Sequence, residues 1–328
     1  MASHLLLTRD RWFGRLRNIL RWISESLISQ LVDQHARICL FCVYPAFCLG
    51  PLLYSLPAEN NYSLTVVCWT REECQQAQQF VQEQYPNRFQ CDYIAWNSDE
   101  EIDEKGDTTC RAFRSDAQYD VILCWGWLER LFDSLELVKE FVAQVSFHLR
   151  PKGFFAGITS NSSWIWTKAQ KYLEQQHAAS IPSSPLSIKD SLATLVLPQG
   201  DTFSAIGTPV IVSYHSEMRT LQAAPTEYFV HVPTLFRYCD AFGLEWVDWW
   251  SGRDWWSYYR NIGFQRLMEM GVITKESRSL SREEYEWLGI FVLPFHEGGL
   301  LLSYCLLSLH TSFTNNDNTF RSIMPPFQ

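Results

Sequence analysis

The chain has 328 residues, 47% of them hydrophobic, and a formal net charge of −9. Such a length buries a large core and suits one sizeable α/β domain, or one domain with a substantial insertion. The negative balance excludes whole-surface attraction to nucleic acid, so an RNA contact is expected to be local and DNA duplex binding is not expected. The opening run Met1 to Leu7 is too short for a secretory leader and meets Arg9, Asp10 and Arg11 at once. Gly299 to Leu307 is too short to cross a bilayer, and stretching it back to Ile290 takes in His296 and Glu297. No membrane association is expected.

In chain order, apolar residues at helical spacing (Trp12, Leu16, Ile19, Leu20, Ile23, Leu27, Leu31) predict an amphipathic helix over Arg11 to Val32. Its arginines, from Arg9 to Arg21, read as an exposed face or as a phosphate contact. Ile38 to Gly50 reads as a buried first strand running into the turn where a doubly wound domain carries its cofactor-binding glycines. Those glycines are missing, and Tyr44, Pro45, Phe47 and Cys48 stand in the stretch instead. Leu64 to Trp69 is a second strand, Glu72 to Gln84 a helix ended near Pro86, and Phe89 to Trp96 a third strand. The acidic run Asp99 to Asp107 reads as a solvated loop.

Tyr119 to Trp125 is a fourth strand, Ser134 to Leu149 a helix, Arg150 to Gly153 a turn and Phe154 to Thr159 a fifth strand. Alternating strands and helices predict a mostly parallel twisted sheet with right-handed crossovers and helices on both faces. Past Pro182 to Pro185 come strands at Thr194 to Leu197 and Pro209 to Tyr214, a helix around Val232 to Phe242, and a last strand at Gly289 to Phe295. Trp164 and Trp166 would point together only on a strand, and they read as packing.

Cys39, Cys42, Cys48, Cys68 and Cys124 lie in apolar runs, as reduced core thiols do in an intracellular, reducing compartment. Cys39-x-x-Cys42 has zinc-like spacing, but strand alternation sends the two side chains to opposite faces and no second pair completes four ligands. No metal site is expected. Ser/His/Asp catalysis has no support either, since His148, His215 and His231 sit in apolar or strand contexts without a Gly-x-Ser-x-Gly elbow.

Several segments, taken in order, carry a resemblance. Leu16-Arg17-Asn18 with Trp22, Tyr119 to Cys124, Leu149 to Ser162, Ile206 to Tyr214, Glu227 to Leu235, and Leu280 to Trp287 followed by Ile290 to Phe295 together resemble the eukaryotic mRNA cap guanine nitrogen-7 methyltransferase family. The resemblance covers about Arg11 to Glu297. It implies a Rossmann-like, S-adenosylmethionine-dependent methyltransferase fold over residues 36–297, with an insertion and cap-side region at about 181–275. Residues 1–35 would be a helical extension, and 298–328 a disordered tail.

Carried over residue by residue, the resemblance implies a degenerate cofactor site. The family's Asp and three glycines after the first strand fall on Leu40 to Pro51, where Gly50 is the one glycine. The acid that holds the ribose hydroxyls falls near Trp69, the adenine-reading Asp near Asn97, and the helix lysine facing the methionyl carboxylate on Ser24. Charged hydrogen bonds contribute roughly 1.5–3 kcal/mol each, so losing three or four removes about 5–10 kcal/mol. That rivals the ~8 kcal/mol of a micromolar complex. No bound cofactor is therefore expected; S-adenosylmethionine would be the donor if the chain were active.

The resemblance leaves more on the cap side. Trp125-Gly126 and then Glu129-Arg130 stand where the family has Gln-Phe and His-Tyr around the guanine, while Asn161 lies in the loop after the fifth strand. Glu227 occupies the position of the guanine-reading carboxylate, and Tyr258 or Tyr259 stands for the aromatic one; a solvated Glu and a core tyrosine are the alternatives. The dense cluster from Trp246 to Tyr259 reads as a packed edge, a protein-partner surface or a base-stacking platform. The expected function is a catalytically impaired family member acting as a binding or regulatory module in nucleus or cytoplasm, the nucleus favoured. A protein would be its partner through Trp246 to Tyr259, with capped RNA a second. An active cap methyltransferase with a non-standard cofactor site and a cap-binding protein without catalysis are the rivals.

Overall fold

The structure is a computed structural model that describes residues 11–42, 45–57, 60, 62–96, 117–179, 186–189, 193–197, 204–214, 227–245, 248–260, 264–269, 273, 285–286 and 288–295. Asn97, the acidic run and the chain after residue 295 lie outside these residues.

Helix α1 (Arg11–Leu31) leads into β1 (Arg37–Cys42), α2 (Pro45–Ser55), β2 (Ser63–Cys68), α3 (Arg71–Gln84) and β3 (Gln90–Ala95). Then follow β4 (Tyr119–Trp125), α4 (Leu128–Leu131), α5 (Leu135–His148), β5 (Leu149–Ser160) and α6 (Ser162–Ala179). The second half holds β6 (Leu186–Lys189), β7 (Ala193–Leu197), β8 (Pro209–Tyr214), β9 (Glu227–Tyr228), α7 (Val232–Ala241), β10 (Asp248–Ser251), α8 (Gly252–Tyr259), α9 (Phe264–Glu269) and β11 (Leu288–Pro294).

Seven strands form the main sheet in the order β10-β11-β5-β4-β1-β2-β3. β1 to β5 run parallel to one another, whereas β11 runs antiparallel to both β5 and β10. This is the Rossmann-like arrangement expected from sequence. Its switch point lies between β1, whose next strand is β2 on one side, and β4, whose next strand is β5 on the other; ligands of such sheets sit beyond the carboxyl ends there. A second, antiparallel sheet runs β6-β7-β8-β9 and carries Glu227.

Both faces of the main sheet are covered, which is why its strands read as unbroken apolar runs. Ile38, Leu40 and Cys42 pack with Ile19, Ile23 and Leu27 of α1, Leu49 and Leu52 of α2, and Ala77 of α3. Cys39 and Phe41 face the other way, toward Phe141 and Val145 of α5 and Leu235 of α7. Cys39 and Cys42 thus lie on opposite faces, as alternation requires. Gly157 in β5 sits against Phe291, and a Cβ there would meet Phe291 Cζ at 2.6 Å and also the Cys124 carbonyl. The glycine lets β11 close onto β5, with Phe155 and Phe291 edge to face at 5.0 Å.

Three local expectations are corrected. The turn after β1 is instead largely helix α2, which contains Pro51; the helix carries no charged residue, and its leucines are buried between α1 and α3. Trp164 and Trp166 lie on helix α6, where Trp164 Nε1 donates to Glu286 Oε2 at 3.2 Å and Trp166 is exposed. β5 begins at Leu149, taking in the expected Arg150 to Gly153 turn, with a register irregularity opposite Tyr119 and Val121 and a positive φ at Lys152.

The Trp-rich segment is partly interior. Trp255 and Trp256 are buried, Trp255 Nε1 donates to Ser26 Oγ of α1 at 3.1 Å, and Trp256 meets Trp22 edge to face at 5.3 Å. Arg253, Asp254 and Tyr258 remain exposed. Trp256→Ala is expected to cost about 3–5 kcal/mol of stability in denaturant unfolding, whereas Tyr258→Ala should cost under about 1 kcal/mol.

Candidate functional site

The carboxyl ends of β1 to β4 are roofed by aromatic rings. Trp69 follows β2, and its ring meets Trp127 edge to face at 5.1 Å. Trp127, wholly buried just past β4, contacts Phe41 at 5.3 Å and Trp96 at 5.8 Å. Trp96 is placed by its backbone N–H, which donates to the Cys68 carbonyl at 2.8 Å. The Arg130 guanidinium stands 5.5 Å from the Trp69 ring centre and forms a salt bridge to Glu73 at 3.1 Å.

Glu73 owes its position to the start of α3. Thr70 caps that helix, its hydroxyl accepting from the Glu73 N–H at 3.2 Å, and the Glu73 carboxylate turns back to accept from Trp69 N–H at 2.8 Å. This is close to a capping box, displaced by one residue on the return bond. Glu73 is therefore an acid beside the expected ribose position, yet its Oε1 accepts from Arg130 and its Oε2 from Trp69. Nearby, thiol hydrogen bonds, with burial, push Cys68 and Cys74 well above the usual thiol range, so these strand tips carry neutral groups.

The other positions matched to the cofactor site are packed. Leu40 is fully buried in β1, and Ser24 is fully buried on α1 with no hydrogen-bond partner for its Oγ among the described residues. Gly50 lies inside α2, where a Cβ would stand 3.1 Å from Phe80 Cζ, so it serves helix packing and not a phosphate or carboxylate turn.

On the cap side the structure assembles an acidic corner. Glu129 on α4 is 9% exposed; its Oε1 accepts from Thr159 Oγ1 at 2.8 Å and from Ser160 N–H at 2.7 Å. Its Oε2 is buried without a hydrogen-bond partner among the described residues. Burial pushes this carboxyl up, and the hydrogen bonds oppose the shift. β9, which carries the half-buried Glu227, packs on α4. Burial, then the Glu129 charge, pushes Glu227 up to about 7 against the pull of Arg130.

The remaining cap-side residues have other duties. Trp125 is buried at the end of β4 on the α1 face, with its Nε1 unpaired among the described residues. Asn161 caps α6, its Oδ1 accepting from Trp164 N–H at 3.2 Å and its Nδ2 donating to the Glu286 carbonyl at 2.8 Å. Tyr258 lies on α8 with its ring centre 5.6 Å from Trp250. Sequence reasoning missed Trp96, Trp127 and Glu73; the Thr70-x-x-Glu73 spacing and the Trp125-Gly126-Trp127 run were the available signals.

Among the described residues, no group of three or more His, Cys, Asp or Glu side chains is placed to hold a metal, and no helix is long and apolar enough to cross a membrane. The sheet order defines a Rossmann-like fold. No protein-family profile matches the chain. It is similar to mRNA cap guanine-N(7) methyltransferase 2 of Oryza sativa subsp. japonica, 30% identical over 132 residues that make up 40% of this chain and 38% of the relative. It is also similar to mRNA cap guanine-N(7) methyltransferase 2 of Arabidopsis thaliana, 27% identical over 180 residues, 53% of this chain and 49% of the relative. The matches span no more than about half the length of these curated relatives. Among solved structures, the CcbJ methyltransferase from Streptomyces caelestis aligns with TM-score 0.49 and 11% identity over 88% of this chain and 91% of its own. An S-adenosylmethionine-dependent methyltransferase from Clostridium acetobutylicum aligns with TM-score 0.43 and 12% identity over 90% and 98%.

The raised Glu227 carboxyl sets a sign for stability. Because the folded protein holds this proton more tightly than the unfolded chain, the contribution is complete below the unfolded value near 4.5 and is lost as pH rises through about 7. The difference corresponds to on the order of 3 kcal/mol, and Glu129 acts in the same direction. Thermal unfolding midpoints should therefore fall between about pH 5 and pH 8, and Glu227→Gln should flatten that fall, as scanning calorimetry across the range would show.

Proposed function

We propose that this protein is a catalytically impaired relative of the cap guanine-N(7) methyltransferases that keeps the Rossmann-like fold as a binding or regulatory module. The observation that carries this reading is the Trp69, Trp127, Arg130 and Glu73 assembly at the tips of β2 and β4. A sulfonium donor needs open space and a carboxylate with both oxygens available to the ribose at such a corner. Here indoles stand at the strand tips, and the nearby acid is committed to a guanidinium and a backbone N–H. Methyl transfer depends mainly on holding donor and acceptor in line, so a chain that does not seat the donor has no route to the reaction.

The acidic corner favours one form of such a module, a cap-binding protein without catalysis. The buried Glu129 and the half-buried Glu227 supply carboxylate oxygens suited to the N–H edge of guanine, and Trp69 offers a half-buried indole against Arg130. The exposed Arg253, Asp254 and Tyr258 of α8 are the part of the Trp-rich segment left for a protein partner. The seven cysteines whose side chains are described are free, which suits a reducing location, nucleus or cytoplasm.

Titration with labelled S-adenosylmethionine should give no saturable binding below about 1 mM, and incubation with guanine-capped RNA and the donor should give no methylated product. Micromolar donor binding would overturn the reading and favour an active enzyme with a non-standard cofactor site.

A further inference from the structure

The acidic corner holds more negative charge than the recognition of a neutral guanine needs. Glu129 is a nine-tenths buried carboxylate with one oxygen spent on Thr159 and Ser160 and the other without a donor among the described residues. A buried, unpaired carboxylate oxygen is costly unless something supplies a donor or a charge. Glu227 brings a second carboxylate on β9, packed against the helix that carries Glu129. The cation beside them, Arg130, is bonded to Glu73 at 3.1 Å, and Asp133 on the following turn takes part in a hydrogen bond with the Tyr228 hydroxyl. Glu73 and Glu227 thus draw on one guanidinium, with Glu129 adding its charge to the same corner. Burial first and the Glu129 charge second raise the Glu227 carboxyl to about 7, so near neutral pH it is only partly ionised.

We propose that this corner selects a planar cation carrying N–H donors, the form that an N7-methylated guanine takes, over the neutral unmethylated base, with Glu129 as the second carboxylate that reads the charge. The inference rests on the cap-binding form of the proposed function and adds to it a preference for methylated over unmethylated cap. A cationic ring lets both carboxylates ionise and gives the orphaned Glu129 oxygen a partner. A neutral guanine supplies donors but leaves the charge uncompensated, so it binds only while the pair retains its proton. A module of this kind recognises the product of cap methylation and not its substrate.

The test is a fluorescence titration of the full chain with two cap dinucleotides, one N7-methylated and one unmethylated, near neutral pH. The methylated analogue should bind at least about tenfold more tightly, and Glu129→Gln, which keeps the volume and an acceptor for Ser160 N–H, should reduce that ratio to within about twofold. Equal affinities in the unmodified protein overturn the charge selection while leaving cap binding intact. A ratio unchanged in Glu129→Gln overturns the role of Glu129. Failure of both analogues to bind overturns the cap-binding reading itself, and since the comparison of the two analogues needs no variant, it stands even if Glu129→Gln does not fold.

Discussion

The Glu73–Arg130 ion pair governs the carboxyl edge of the sheet. It joins the first turn of α3 to α4 across the tips of β2 and β4, with side chains only 17% and 3% exposed. A buried pair of this kind contributes little net stability compared with apolar replacements, but removing one partner leaves the other charge stranded at a cost of about 3–5 kcal/mol. The edge is therefore fixed less by attraction than by the penalty for separating the two groups. Everything nearby conforms to it: Trp69 lies under the guanidinium, Trp127 under Trp69, and Phe41 and Trp96 under Trp127.

That arrangement divides the crevice into two electrostatic regions. At the tips of β1 and β2, rings and protonated thiols give a nearly neutral lining. At the β4, β5 and β9 end, Glu129 and Glu227 concentrate negative charge that Arg130 offsets only in part. A carboxylate raised by burial and by a second carboxylate beside it is a common mark of a functional corner. Arg130 links the regions, because its bond to Glu73 limits how far it can neutralise Glu227.

Much of the fold was legible because the constraint on a doubly covered sheet is written in every strand. Runs such as Ile38 to Cys42 and Val121 to Trp125 have no polar face, and their alternation between two helical layers was recoverable from residue order alone. The helix α2 was not, since Pro51 in its interior argues locally against a helix and burial between α1 and α3 overrides it. At the site, Trp69 itself could be picked out from one position, whereas its partners could not. Glu73, Trp127 and Arg130 are brought to it by β2 and β4 lying on either side of β1, a juxtaposition that emerges only after the sheet order is known. The Trp255 and Trp256 pair was open for a related reason: a dense aromatic run reads alike as a surface or as packing until α1 is seen to cover it.

The middle of the sheet and its strand tips are held by different constraints. Gly157 in β5 and the interlocked Phe155 and Phe291 hold the middle of the sheet, remote from the strand tips, and tolerate little change. Substitutions at Trp69 or Glu129 touch that middle only through their immediate neighbours, so the core places few demands on them. A tip residue is free to change in chemistry as long as its volume and hydrogen bonds are met locally, and an indole capped by a guanidinium meets both. The acidic corner differs in one respect: Glu129 leaves a buried oxygen without a donor among the described residues. An apolar side chain in its place would strand the Ser160 N–H and the Thr159 hydroxyl that its other oxygen holds, so the carboxylate is fixed by those two bonds while one oxygen is left over.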